Sequence, residues 1–384
     1  MKTRPEAFGA WVRLDDATLV AVDRPMARAL GVDGVTLWDD GVPAPPALPL
    51  EAHVAVTSRC PAGCSGCYQS AVPGGADVPR DELLATLDAL ASAGVFTVAF
   101  GGGEPLVRDD LGDLAREARA RGLVPVVTTS GLGLTPRALE GLRAFAQVNV
   151  SHDGVGGGYA AVRGFEGERA ADRAIRALAE GGVPVGVNHV LTRQNVDGLS
   201  ATARHVRSLG AREMQLLRYK PAGRAASPEY LARRLTPAQA RALGPTLRAL
   251  VAEHGGDLSF RIDCALVPLV AEAFPDPAVL ARFGVFGCEA GRHLAAVRRD
   301  GSVAGCSFAT ESGGHTRALG VTWTTDPALE AFRAFVRAPP EPCRTCPVRE
   351  VCRGGCKVVT AHLEDAMGPD PECPRVIAHR GVSA

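Results

Sequence analysis

The segment AHVAVTSRCPAGCSGCY, residues 52–68, joins a short apolar run to a loop that carries three cysteines. The run AHVAVT has the length and valine content of a strand. Cys60, Cys64 and Cys67 follow with the spacing C-x3-C-x2-C. Three soft thiolates on one tight loop suit an iron–sulfur cubane with one iron left open, whereas a structural zinc site usually adds a fourth cysteine or histidine nearby. Half of a zinc site or a redox-active cysteine pair is the alternative interpretation.

Outward from this segment, short apolar runs alternate with amphipathic helical patterns. The helical patterns include residues 81–94, 111–122 and 195–210. Alternation of this kind indicates right-handed βαβ units and a parallel sheet. Six units predict an α/β fold with a partial (β/α)6 TIM-like barrel, which falls short of the eight units of a closed barrel. The predicted strands are 52–57, 95–100, 123–129, 147–151, 183–191 and 213–219.

Composition changes along the chain predict four regions. Residues 1–50 form an N-terminal segment of unknown role that ends in the proline-rich linker GVPAPPALPL. Residues 51–225 form the barrel, and residues 226–285 form a helical bridge in which TPAQARALGPTLRALVAEHG predicts a helix. Residues 286–384 carry glycine, proline and cysteine with little periodicity, as expected of a domain organised by metal.

Bulk charge and hydropathy exclude several classes of partner. Lysine plus arginine and aspartate plus glutamate both number 42, so the chain lacks the basic excess of a nucleic-acid or membrane-surface protein. We find no signal-peptide core and no apolar run of about 18 residues, and we therefore expect a cytoplasmic location without membrane contact. In a reducing compartment, eleven cysteines of which ten are clustered indicate metal ligation more than disulfides.

A second group of cysteines lies near the C-terminus. A C-x2-C pair followed by further thiolates is typical of chains that wrap cubane clusters. Seven thiolates do not complete two four-ligand zinc sites, although a pair of zinc knuckles is the competing interpretation. The seven residues are Cys288, Cys306, Cys343, Cys346, Cys352, Cys356 and Cys373.

The first triplet resembles the signature of the radical S-adenosylmethionine (SAM) superfamily, in which the open iron chelates the amino and carboxylate groups of SAM. One residue departs from that signature: Gly66 stands before the third cysteine, where the family usually has an aromatic residue, and Tyr68 follows it. The C-terminal group is similar to the SPASM domain, an extension that holds two auxiliary 4Fe-4S clusters. This resemblance covers roughly residues 50–375.

The resemblance implies three 4Fe-4S clusters and SAM as cofactors. It assigns Cys60, Cys64 and Cys67 to the SAM cluster and divides the seven C-terminal cysteines between the auxiliary clusters. The outer cluster receives Cys343, Cys346, Cys352 and Cys373, and the inner cluster receives Cys288, Cys306 and Cys356.

The inner cluster is one ligand short in this assignment. Relatives that mature sulfatases have a further cysteine just before the position of Cys288, and ARFGVFGC offers none. We expect Cys264 to be the fourth ligand, since it is the cysteine left over. A buried apolar cysteine, together with an iron left open for substrate, is the alternative.

The resemblance also indicates the SAM site. FGGGEP, residues 100–105, ends the second strand and corresponds to the motif for the SAM amino group. The same comparison gives candidates for the ribose and the carboxylate, and two residues at the barrel mouth that are candidates for contact with substrate. The cofactor-binding candidates are Tyr68, Gly102, Gly103, Glu104, Ser130, Ser151 and Arg163; the substrate candidates are His152 and Asp153. Turn residues, helix caps and a surface arginine are the alternative interpretation.

The implied activity is reductive cleavage of SAM to methionine and a 5′-deoxyadenosyl radical, which abstracts hydrogen from a substrate. A flavodoxin or ferredoxin would donate the electron. Modification of a ribosomally made peptide is the first hypothesis. A sulfatase maturase is disfavoured, because Ser307 stands where those enzymes place an aspartate. The alternatives are a dehydrogenase or epimerase of a sugar or aminocyclitol, and a non-catalytic iron–sulfur electron-transfer protein.

Overall fold

The computed structural model describes residues 1–34, 37–39, 47–226, 228–273, 276–282, 285–364 and 367–381. Most of the predicted proline-rich linker lies outside the described residues. Among the described residues, no helix is both long enough and apolar enough to cross a bilayer.

The central feature is an open sheet of ten strands in the order β10-β9-β8-β7-β6-β5-β4-β11-β12-β13. Strands β4 to β10 are neighbours in chain order and run parallel. The first six of these match the six predicted strands, so the predicted partial barrel is confirmed. The strands of this sheet are β4 (Glu51–Thr57), β5 (Thr97–Gly102), β6 (Val124–Thr129), β7 (Gln147–Ser151), β8 (Val185–Leu191), β9 (Glu213–Arg218), β10 (Ser259–Ile262), β11 (Leu294–Val297), β12 (Ser302–Ala304) and β13 (Gly313–His315).

Helices cover the outer face of the sheet and build the C-terminal region. The helices before residue 260 are α1 (Arg24–Ala29), α2 (Arg80–Ser92), α3 (Leu111–Ala120), α4 (Pro136–Leu142), α5 (Gly158–Arg163), α6 (Glu168–Glu180), α7 (Leu199–Ser208), α8 (Glu229–Arg233) and α9 (Pro237–His254). The later helices are α10 (Val267–Val270), α11 (Pro277–Arg282), α12 (Leu319–Thr325), α13 (Pro327–Arg337), α14 (Arg349–Cys352), α15 (Lys357–Glu364) and α16 (Pro374–His379).

The two faces of the barrel strands differ in chemistry. On β4, Val54 and Val56 point outward into the core beneath α2, where Leu83 and Leu87 are buried. Because side chains alternate along a strand, the residues between them point into the barrel. These inward residues are polar on several strands, so the barrel encloses a polar interior. They include Glu51, His53, Thr128, Gln147, Asn149, Asn188 and Glu213.

The C-terminal region contributes directly to the barrel sheet. Strand β11 pairs in parallel with β4, and a hairpin of β12 and β13 continues from it. Strand β10 adds a further parallel strand at the opposite edge. Both added strands are only four residues long. The predicted boundaries between the four regions stay predictions.

The N-terminal segment forms a separate antiparallel sheet of β1 (Lys2–Glu6), β2 (Gly9–Arg13) and β3 (Leu19–Asp23). Helix α1 packs on this sheet around Val12 and Trp38. Buried Arg4 donates hydrogen bonds to the carbonyl oxygens of Leu48, Pro49 and Gly94. The segment is therefore held against the start of β4 and the end of α2.

Candidate functional site

The loop with the first three cysteines leaves the carboxyl end of β4. The Cys60 N–H donates to the Val72 carbonyl at 3.0 Å, which closes the base of the loop. From the segment after β9, the Arg224 guanidinium donates to the carbonyl oxygens of Cys64 and Ala71, each at 3.0 Å, and the Arg224 N–H donates to the Cys67 carbonyl at 2.9 Å. These contacts hold both ends of the loop, and no sequence motif indicates Arg224.

Gly66 has a steric partner that explains its departure from the family signature. A Cβ at Gly66 would lie 2.5 Å from the hydroxyl oxygen of Tyr219 and 3.0 Å from its ring. The Tyr219 ring, which follows β9, therefore occupies space beside the loop. Its buried hydroxyl has no hydrogen-bond partner among the described residues, and burial raises its pKa to about 12. The Tyr219 hydroxyl lies beside three thiols and has no acceptor among the described residues. A cluster bound there would offer sulfur atoms as acceptors.

The glycine turn after β5 brings this strand close to the cysteine loop. Gly102 has φ +111°, and a Cβ there would come within 2.4 Å of the Thr57 carbonyl oxygen. At Gly103 a Cβ would come within 2.1 Å of the Arg59 carbonyl oxygen. Only glycine permits this approach.

Glu104 is buried and joins the ends of β5 and β6. One carboxylate oxygen accepts from the Thr129 hydroxyl at 2.6 Å, and the other accepts from the Ser130 N–H at 2.7 Å and the Ser130 hydroxyl at 2.5 Å. Burial raises the pKa of Glu104, although these hydrogen bonds oppose the shift. Two predicted cofactor-binding residues, Glu104 and Ser130, are thus in direct contact, and the role of Glu104 at the SAM ammonium group stays a prediction.

Arg163 lies against the cysteine loop. Its guanidinium pairs with the buried Asp153 carboxylate and lies 3.8 Å from the Cys64 sulfur. Burial disfavours the charged form of Arg163, but the Asp153 carboxylate outweighs this effect and raises its pKa. The other Asp153 oxygen accepts from the Val190 N–H at 2.7 Å. Asp153 therefore positions Arg163, a cation suited to a carboxylate ligand.

The barrel interior beside this cation offers further groups for SAM. Ser151 ends β7 on the inward face, and its contact with the SAM ribose stays a prediction. Asn188 on β8 donates to the Thr128 hydroxyl at 3.2 Å, while its buried carbonyl oxygen lacks a donor among the described residues. Since a buried acceptor without a partner is costly, this atom fits a hydroxyl donor of a bound ligand.

His152 does not point into the barrel mouth. Its buried ring points to the outer helices, where Nε2 contacts the Asp172 carboxylate on α6 at 3.0 Å. The residue follows β7 but turns away from the interior. We do not retain His152, or the fully paired Asp153, as a candidate for direct contact with substrate.

The four thiols assigned to the outer auxiliary cluster meet around one space. Cys343, Cys346, Cys352 and Cys373 all line a cavity of about 230 Å³ beside α14 and α16. Burial raises the pKa of Cys352 to about 12 and that of Cys373 to about 11. Cys352 and Cys373 are therefore protonated without a metal at neutral pH, so metal binding releases their protons.

The thiols assigned to the inner cluster meet at a second place, and Cys264 joins them. Burial raises the pKa of the Cys264 thiol well above the usual value, and Cys288 and Cys356 lie near enough to raise this pKa further when they are ionised. Cys288 and Cys306 also lie close enough for their charges to interact. The position of Cys264 directly after β10 brings it to this group across 23 intervening residues.

The distance between thiol sulfurs depends on whether they surround one ion or a cluster. Around one tetrahedral zinc, sulfur ligands lie roughly 3.8 Å apart. Among the described residues, which include every cysteine, no cysteine group brings three ligand atoms within 4.8 Å of one another. Thiols that bind separate irons of a cubane are farther apart. Among the described residues, no three thiols therefore surround a single ion, and the assignment of these thiols to iron–sulfur clusters stays a prediction.

Two contacts connect the barrel interior to the inner-cluster loop. His53 Nδ1 lies 2.9 Å from the Ser307 hydroxyl, and its Nε2 lies 3.0 Å from the Glu51 carboxylate. Tyr68 packs on Phe308 with ring centroids 4.5 Å apart. His53 was not among the residues predicted from the sequence. Its position in the alternating strand before the cysteine loop indicates that it points into the barrel.

Comparison with known proteins gives the family. The model of the radical SAM superfamily matches residues 54–206. A PqqA peptide cyclase from Ruegeria pomeroyi is 30% identical over 357 residues, which cover 89% of this chain and 91% of that protein. The chain belongs to the radical SAM superfamily. The mycofactocin maturase MftC of Mycolicibacterium smegmatis is 31% identical to this radical SAM chain over 364 residues. The aligned region covers 88% of this chain and 85% of MftC.

Solved structures share the fold of this radical SAM enzyme. Streptococcus suis SuiB bound to the precursor peptide SuiA superposes with a TM-score of 0.75 at 16% identity, covering 97% of this chain and 98% of SuiB. The identification of the chain as a radical SAM enzyme with a SPASM-type extension is confirmed. A 4Fe-4S cluster and SAM are its cofactors by family.

Proposed function

We propose that this radical SAM enzyme modifies a ribosomally made peptide. The observation that carries the proposal is similarity over nearly the whole chain to a PqqA peptide cyclase and to a mycofactocin maturase. The open sheet supports it, because the barrel is not closed by strand pairing between β10 and β13. An extended segment of a peptide can therefore reach the polar interior.

The residues of the site then have distinct tasks. Cys60, Cys64 and Cys67 would hold the SAM cluster, and when bound this pair of cofactors supplies the 5′-deoxyadenosyl radical. Arg163, positioned by Asp153, would bind the SAM carboxylate. The turn at Gly102 and Gly103 would bind its ammonium end. Ser151, Asn188 and Tyr68 line the interior where the adenosyl group and the substrate meet, and a buried interior excludes water from a radical.

We propose two auxiliary 4Fe-4S clusters in addition. The outer one would use the four thiols around the 230 Å³ cavity. The inner one would use Cys288, Cys306, Cys356 and Cys264, supported by the packing of Cys306 against the buried cluster that contains Cys356 and by the nearness of Cys264 to Cys288 and Cys356. Iron and sulfide analysis of anaerobically reconstituted Cys264→Ala tests the last ligand. An unchanged iron content and inner-cluster spectrum would leave an open iron for substrate as the better account.

An external electron donor of the flavodoxin or ferredoxin type completes the proposal. The SAM cluster, when bound, would need an electron from outside, because no described group of the chain is itself a source of electrons. Reduced flavodoxin and reduced ferredoxin can each be tested for support of SAM cleavage against a chemical reductant.

A short peptide encoded beside the gene is the substrate to test. Synthetic peptide uniformly deuterated on carbon, SAM and reductant are incubated with the reconstituted enzyme, and both products are analysed by mass spectrometry. We expect deuterium in 5′-deoxyadenosine and a changed peptide mass. SAM cleavage with no deuterium transfer from any such peptide, but with transfer from a sugar or aminocyclitol, would replace the peptide by a small molecule. Absence of SAM cleavage would indicate an electron-transfer protein.

A further inference from the structure

We propose a site for one divalent metal ion of the zinc type at His152, Asp172 and His205, separate from the clusters. These three residues come from different elements: His152 follows β7, Asp172 lies on α6 and His205 lies on α7. Their ligand atoms all lie within 4.8 Å of one another. The radical chemistry proposed above uses none of them.

The donor set matches this class of metal. Imidazole nitrogen and carboxylate oxygen suit Zn²⁺, Co²⁺ and Ni²⁺, and two histidines with one carboxylate form a known three-ligand set that leaves a fourth position for water. The described cysteines, in contrast, are assigned to the cluster sites. The metal in question is therefore bound through nitrogen and oxygen, which distinguishes it chemically from the iron bound through sulfur.

The distances are close to those of a bound ion. One oxygen of Asp172 lies 3.0 Å from His152 Nε2 and 3.0 Å from His205 Nε2. Metal–ligand bonds of about 2.0–2.1 Å in a tetrahedron place ligand atoms roughly 3.3 Å apart. The two separations from the carboxylate oxygen thus need to lengthen by only a few tenths of an ångström to admit an ion, and the two imidazole nitrogens already lie within 4.8 Å of each other.

Both imidazoles present the same nitrogen to the carboxylate. The Gly154 N–H donates to His152 Nδ1 at a long 3.4 Å, which leaves the proton of the neutral ring on Nε2, directed at Asp172. A metal ion would take the place of that proton between ring and carboxylate, and the neutral ring would then carry its proton on Nδ1. The weak contact with Gly154 is the hydrogen bond given up.

Access and placement fit a structural ion. His152 is fully buried, whereas the side chains of Asp172 and His205 keep 22% and 31% of their surface exposed. An ion can therefore enter from the side of α6 and α7, and water can fill the fourth position. The bound ion would connect two outer helices to the segment after β7, whose next residue, Asp153, positions Arg163.

Electron paramagnetic resonance with Co²⁺ provides the test on the reconstituted enzyme. Oxidised 4Fe-4S clusters are diamagnetic, so the high-spin Co²⁺ signal is observed without interference. We expect one Co²⁺ per chain, with hyperfine evidence of nitrogen ligands, and a higher melting temperature. Asp172→Asn and His205→Gln should lose the signal and the stabilisation, while His379→Gln, which removes an exposed imidazole, should retain both.

Iron content and circular dichroism establish that each variant is folded. His205 is the decisive position because its partly exposed side chain can be replaced without opening the core. Absence of stoichiometric Co²⁺ in the unaltered enzyme would overturn the proposal and leave a hydrogen-bonded network. Persistence of the same signal in folded His205→Gln would also overturn it.

Discussion

At Gly66, a single hydrogen in place of a side chain makes room for the ring of Tyr219. Gly66→Phe should crowd this ring and lower the retention of the SAM cluster, since overpacking costs about 1–3 kcal/mol. Gly66→Phe combined with Tyr219→Ala should restore the cluster, because one aromatic ring then replaces the other. Cluster retention is measured by iron analysis and the absorbance of the reconstituted protein.

The control is Tyr219→Phe, which removes the hydroxyl and keeps the ring. If Gly66→Phe alone retains all its iron, the two side chains do not compete for the same volume.

Glu104 makes a prediction about the SAM affinity. Glu104→Gln replaces one acceptor oxygen by an NH2 group, which cannot accept from Ser130 or Thr129. In its predicted role Glu104 also accepts a charge-assisted hydrogen bond from the SAM ammonium group; losing that bond costs about 1.5–3 kcal/mol, so SAM should bind at least about tenfold more weakly. Calorimetric titration of SAM checks this result. Glu82→Gln, at an exposed ion pair with Arg317, should bind SAM normally; equal affinities in the two variants would contradict the role of Glu104.

The side chains of the site differ in how well the sequence predicts their positions. The cysteines, the glycine turn and Glu104 follow directly from short motifs. Tyr219 and Arg224 act on the cysteine loop from more than 150 residues away, and a local pattern carries no information about such a contact. His152 illustrates the opposite case, since its position after a strand indicated the mouth while its ring points outward.

Among the elements, the segment after β9 holds the cysteine loop through Arg224. Arg224→Lys keeps the charge but cannot span the carbonyl oxygens of Cys64 and Ala71 at once, because lysine lacks the planar fork of donors. We expect faster loss of the SAM cluster to a chelator, with the auxiliary clusters unaffected. Spectroscopy during chelation distinguishes the two classes of cluster.

Arg207→Lys is the matched control, since Arg207 makes an exposed ion pair with Asp257. The same rate of cluster loss in both variants would show that Arg224 does not support the loop.

The elements themselves were largely predictable. The six barrel strands stand out because apolar runs alternate with amphipathic helices of regular length. Strand β10 coincides with the short strand-like run SFRID, residues 259–263, whereas β11 was missed because four residues are too few to establish an alternation. Their pairing with β9 and β4 depends on tertiary contacts with strands already in place.

Across the whole molecule, a buried ion pair joins the barrel to the C-terminal region. Arg218, at the end of β9, donates to Asp370 at 2.6 Å and to Glu372 at 2.6 Å, and only 4% of its side chain is exposed. Asp370→Ala removes a partner of this buried charge, so we expect a loss of about 3–5 kcal/mol in the free energy of unfolding. Thermal and urea unfolding under anaerobic conditions measure this loss.

Asp257→Ala breaks an exposed ion pair instead and should cost about 0–1 kcal/mol. A loss in Asp370→Ala no larger than in this control would show that the Arg218 pair does not stabilise the joined regions.

The relation between the two cysteine regions was the least predictable part. Family spacing divides the seven C-terminal cysteines between two sites, and Cys264 follows by elimination. The contacts of Tyr68 with Phe308 and of His53 with Ser307 arise only when the C-terminal region folds against the barrel mouth. These contacts give the interior a physical connection to the inner-cluster loop that no motif contains.

The most direct test of the radical SAM site compares the unaltered enzyme with the triple variant Cys60→Ala, Cys64→Ala and Cys67→Ala, both reconstituted anaerobically. Iron per chain and 5′-deoxyadenosine formed from SAM under reduction are measured together. We expect about twelve irons and 5′-deoxyadenosine from the unaltered enzyme, and about eight irons without 5′-deoxyadenosine from the variant. Continued formation of 5′-deoxyadenosine by the variant would contradict the assignment of SAM cleavage to this loop.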